Sequence, residues 1–74
     1  MNEISTLRRL GDTLRAKRSE LGFSQESFAD SIGMHRAYYS SIERGSRNVT
    51  LLTLIRIANG LNTHASKLLD ASSI

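Results

Sequence analysis

Apolar side chains recur at three- and four-residue steps along most of the chain, and no stretch shows the period-two alternation of a strand. Leu7, Leu10, Leu14 and Leu21 draw one stripe down a helix predicted from about Ile4 to Leu21, with Gly22 as its stop. Arg18 lies on that stripe. An unpaired guanidinium facing a core costs on the order of several kcal/mol, so a partner carboxylate is expected. After Ser24, whose hydroxyl suits an N-cap, Gln25 and Glu26 open a second helix of about seven residues, with Phe28, Ala29 and Ile32 inward and Gly33 closing it.

The next helix is predicted over residues 35 to 44. At about 100° per residue, His35, Tyr39 and Ile42 share the apolar side, while Arg36, Ala37, Ser40, Ser41 and Arg44 lie opposite. Two arginines among small side chains let a helix approach a surface closely while the long cationic arms reach past it. Glu43 sits at the margin of the inner side, one turn after Tyr39. It is the natural partner of Arg18, and a catalytic role is the poorer reading because no second carboxylate or histidine is spaced to act with it. Thr50 is expected to cap a further helix with a stripe of Leu51, Leu54, Ala58 and Leu61, and Thr63 a last one ending near Leu69. Residues 71 to 74 read as a polar tail that frays. Leu52, Ile55, Leu68 and Leu69 exceed what one core face requires, so they are extra core or a self-association surface, and the second is expected for so small a chain.

Composition narrows the picture. The 74 residues leave room for one small all-helical domain, and without cysteine there is neither a disulfide framework nor a thiolate metal site. His35 and His64 are too isolated to bind a metal, and no cofactor is expected. No nucleophile and base, phosphate loop or metal cluster is visible, so an enzyme is not expected. The N-terminus lacks the apolar centre of a signal peptide and no run is long enough to span a bilayer, so a cytoplasmic location without a membrane partner is expected, and the Asn48-Val49-Thr50 acceptor pattern carries no meaning. Net charge is +3, a mild lean toward a polyanion. Arg8, Arg9, Arg15 and Lys17 lie off the first stripe and read as a solvated face rather than a nucleic-acid contact.

Ser24-Gln25-Glu26, Ala29, Gly33, Tyr38-Tyr39-Ser40 and Ile42-Glu43-Arg44-Gly45 fall in the order and spacing of the Cro and phage-repressor type helix-turn-helix proteins. The resemblance covers about residues 7 to 69. It implies a compact five-helix bundle whose third helix enters the DNA major groove. The run His35-Arg36-Ala37-Tyr38, with Ile42 through Thr50, is most similar to the controller proteins of restriction-modification systems, small dimeric regulators that bind operators upstream of their own and the endonuclease gene. Carried onto this chain, the resemblance implies base reading by Arg36 and Ala37, with Ser40 and Ser41 further along. It implies backbone contacts from Gln25, Tyr38, Arg47 and Asn48, and Arg44 adds charge on the same far side.

Two positions depart from the pattern. Ala37 replaces a residue that is polar in many members, which leaves an apolar touch on a thymine methyl, and Met34 stands where many relatives have a capping residue. The partners implied are double-stranded DNA and a second copy of the chain, with RNA polymerase if the protein activates; no small-molecule ligand is expected. The competing readings are a small phage-type repressor, or an antitoxin or adaptor of the same fold whose main partner is another protein.

Overall fold

The computed structural model describes residues 2 to 74, which form five helices: α1 (Glu3–Glu20), α2 (Gln25–Ser31), α3 (Arg36–Glu43), α4 (Leu51–Gly60) and α5 (Ala65–Ala71). Helices α1, α2 and α4 start on side-chain caps. Asn2 Oδ1 accepts from the amides of Ile4 and Ser5, Ser24 and Ser27 form a reciprocal capping box, and Thr50 Oγ1 accepts from the Thr53 amide. None of the helices is long and apolar enough to cross a membrane.

Leu10 and Leu14 of α1, Phe28 and Ala29 of α2, Tyr39 and Ile42 of α3, Leu54, Ile57 and Ala58 of α4, Leu61 after it, and Leu68 of α5 fill a single core. The Phe23 and Phe28 rings meet edge to face and the Phe28 and Tyr39 rings at a tilt, with centroids 5.5 and 5.0 Å apart, adding specificity to the area they bury. α1 crosses α3 closely at Gly11, where a Cβ would strike the Glu43 carbonyl, so only glycine permits this approach. Between α2 and α3 the chain turns on Gly33, whose φ of 66° a Cβ would disfavour.

Several boundaries differ from expectation. Met34 lies in the core, 7% exposed, and His35 takes the N-cap of α3: its Nδ1 accepts from the Ala37 amide at 3.2 Å, and the ring stays outside rather than on the apolar side. The α4 stripe starts one turn late, because Leu51 is 65% exposed and the fully buried Ile57 takes its place. α5 starts after His64, not Thr63. Asn62 adopts the left-handed conformation (φ 58°) that ends the preceding turn, and the Thr63 amide bonds back to the Ala58 carbonyl. The tail is docked rather than frayed: Ser72 is buried, with its Oγ 2.8 Å from Thr13 Oγ1 and 2.7 Å from the Leu68 carbonyl.

Candidate nucleic-acid interface

The α2–turn–α3 unit is held by a polar lattice reaching back to α1. Arg18 Nε donates to Glu43 Oε2 at 2.7 Å and Nη2 to Oε1 at 3.1 Å, while Nη1 donates to the Phe23 carbonyl at 2.6 Å. A bidentate guanidinium whose third nitrogen is also satisfied is the arrangement in which a buried ion pair is tolerated. Gln25 extends the lattice: its Nε2 donates to Glu43 Oε1 at 2.9 Å, and its Oε1 accepts from Ser40 Oγ at 2.7 Å. Three helices thus meet at one carboxylate.

The charge states follow from this geometry. Burial alone would raise the Glu43 carboxyl, but the Arg18 hydrogen bonds, the nearby Tyr39 hydroxyl and the Gln25 amide hold it below its ordinary value. The hydrogen bond to Glu43 raises Arg18. Burial, then the Glu43 carboxylate, pushes the Tyr39 hydroxyl far up, so it stays protonated. Glu43 is therefore held ionised near neutral pH, as a strut with no proton to exchange there.

On the outer side, Arg36 and Ala37 open α3, both exposed, and the Arg36 side chain bonds no other described residue. Tyr38 is half-buried, and the Arg47 guanidinium lies over its ring at 4.8 Å while its Nε donates to Ser41 Oγ at 3.0 Å. This stack fixes Arg47 beside the exposed end of α3. Arg44 caps the other end, exposed, and Asn48 lies across from Glu3, Thr6 and Leu7 of α1.

Ser40 and Ser41 are not on an open face: they are 8% and 7% exposed. Gln25 covers Ser40 from α2. The connector after α3 folds back over Ser41, whose Oγ donates to the Tyr38 carbonyl at 2.6 Å and whose carbonyl accepts from the Ser46 amide and hydroxyl. A helical wheel places both outward because it contains no flanking loop. Gln25 has one amide hydrogen committed to Glu43, leaving its second for an outside acceptor. Leu68, offered as an interface residue, is 3% exposed and belongs to the core, and Leu69 is half-buried against it. Leu52 and Ile55 remain open, at 78% and 38%.

Arg56 has no counterpart in the sequence reading. From α4 it donates to the Ile32 carbonyl from Nε (2.9 Å) and Nη2 (2.7 Å) and to the Gly33 carbonyl (2.7 Å), capping α2 and tying the turn to α4. A lone arginine in an apolar helix carries no local signal of this contact, since its partners lie 24 and 23 residues away.

The Helix-turn-helix family profile matches residues 14–68. Control protein C.SmaI of Serratia marcescens is 48% identical over 65 residues, 88% of this chain and 77% of that protein. Control protein C.MunI of a Mycoplasma species is 48% identical over 69 residues, 92% of this chain and 90% of that protein. The crystal structure of the restriction-modification controller protein C.AhdI from Aeromonas hydrophila is similar with a TM-score of 0.80 at 37% identity, covering 84% of this chain and 94% of that one.

Proposed function

The chain belongs to the helix-turn-helix family of DNA-binding transcription regulators, of the Cro and phage-repressor type and most like the control proteins, and we propose that it acts as a homodimer on a palindromic operator. In this reading it is a restriction-modification controller that regulates its own gene and that of the endonuclease. One observation carries the DNA-facing part: the Arg36 side chain, the long one at the exposed start of α3, has no hydrogen-bond or ion-pair partner among the described residues and can fork onto guanine O6 and N7, the commonest specific contact. Ala37 beside it keeps the approach close enough for a thymine methyl. Tyr38 and Arg47 brace each other beside α3, and in this reading they contact the DNA backbone together with Asn48, Arg44 and the free hydrogen of Gln25. The buried Ser40 and Ser41 support the reading helix from behind and reach a base only if Gln25 and Arg47 shift.

The dimeric part rests on Leu52 and Ile55, apolar residues open to solvent on a helix that already buries its core stripe, joined by Leu51. A symmetric pair would place two recognition helices about one helical turn, ~34–36 Å, apart. As an activator the dimer would also meet RNA polymerase. The same patch supports the second reading, an antitoxin or adaptor with a protein partner. Sequence selection on random duplexes, together with the mass in solution, separates the two: a palindromic site and a doubled mass support the regulator. A partner retained by an Arg36→Ala, Arg47→Ala variant with unchanged DNA affinity supports the other.

A further inference from the structure

The basic residues of α1 read from sequence as a solvated face, but the fold gathers two of them with the end of α3. Arg8, Asp12 and Arg15 line one wall of an open cleft of about 440 Å³; Gln25, Glu43 and Arg44 line the other. Arg8, Arg15 and Arg44 are all exposed, and none of their guanidinium groups makes a hydrogen bond or ion pair with another described residue. Glu43 adds no free negative charge, since Arg18 already holds both its oxygens. Three guanidinium groups therefore face one uncompensated acid, Asp12, a local excess that an anion would complete.

We propose that this cleft is a second phosphate-binding site, in which Arg8 and Arg15 of α1 grip the sugar-phosphate backbone of duplex DNA alongside Arg44. The inference rests on the regulatory reading above and extends its footprint to a helix that no resemblance assigned to DNA. Two features favour a duplex over an acidic protein surface. Gln25 and Arg44, at the cleft, belong to the set already aimed at the backbone, so the cleft continues that surface. Arg8 and Arg15 lie seven residues apart on one side of α1, about 10 Å along its axis, a length over which one strand of B-DNA carries about three phosphates. The planar fork of arginine suits phosphate oxygens, and a backbone contact of this kind adds affinity without reading sequence.

The test measures affinity for the selected operator and for a random duplex across a salt series. It compares the wild type, Arg8→Gln/Arg15→Gln and Arg8→Lys/Arg15→Lys, each checked by circular dichroism and mass. The glutamine variant should bind at least tenfold more weakly to both duplexes, with their ratio unchanged and the salt slope reduced by about one per arginine per subunit; the lysine variant should keep most of the slope. If the glutamine variant melts early, the single substitutions read the same slope. A folded glutamine variant with the wild-type slope overturns the proposal, as does a lysine variant that loses as much as the glutamine one, because packing rather than charge would then be responsible. Loss of binding to an acidic protein partner with the salt slope intact also overturns it. A wild type that binds no duplex overturns the regulatory reading itself, a result distinct from these.

Discussion

Arg18 and Glu43, 25 residues apart in sequence, meet in a two-point ion pair with Glu43 almost fully enclosed, and this pair fixes α3 against α1. Removing one partner of such a pair strands the other. Glu43→Gln should therefore lower unfolding stability by on the order of 3 kcal/mol, measured by chemical denaturation, with Arg18→Met/Glu43→Leu recovering much of the loss.

The same pair sets an acid limit. Because the folded carboxyl lies below its ordinary value of 4.5, its contribution is complete above that pH and is lost as pH falls from there through the lower folded value. The wild-type melting temperature should drop with acid below about 4.5 more steeply than that of Glu43→Gln. Parallel curves would remove Glu43 as the source.

At Gly11 the gain in helix propensity from alanine, about 1 kcal/mol, is opposed by a clash with the Glu43 carbonyl that side-chain rotation cannot relieve. Gly11→Ala should destabilise by about 1–3 kcal/mol net and weaken DNA binding by displacing α3. A more stable variant would show that α1 and α3 can separate at no cost.

Arg36→Ala should cost about 1–3 kcal/mol and relax preference at one base pair per half-site, whereas Arg47→Ala should weaken all duplexes about equally and lower the salt slope. Competition between operator and single-position variants reads both. Equal loss on operator and random DNA for Arg36→Ala would end its assignment as a base reader.

Arg56 ties the turn to α4 through three exposed hydrogen bonds, so solvent discounts their contribution. Arg56→Ala should cost about 1 kcal/mol and speed amide exchange at Met34 and Ala37 before it affects α1. Uniform exchange across the chain would mean that the clasp is not local.

Leu52→Glu with Ile55→Glu should leave the fold intact, since both side chains are open, and yield a single-subunit mass in sedimentation where the proposed wild-type dimer yields a doubled one. Operator affinity should then fall at least tenfold, because the second half-site no longer contributes.

Local pattern was enough for the five helices, the Ser24 and Thr50 caps, the Gly33 turn and the family, because each depends on residues within a few positions of one another. The pairing of Arg18 with Glu43 was legible too, for a different reason: each faces inward on its own helix and needs an opposite charge there. Tertiary structure decided what loops and neighbouring helices cover. Ser40 and Ser41 point outward on a wheel, yet Gln25 and the Arg47 connector enclose them. Leu68 and Leu51 exchanged roles for the same reason, since an apolar residue is core only where another element arrives to cover it. The Arg56 clasp and the cleft of Arg8, Arg15 and Arg44 join residues more than 20 positions apart, with no periodicity linking them, and only the folded chain brings them together.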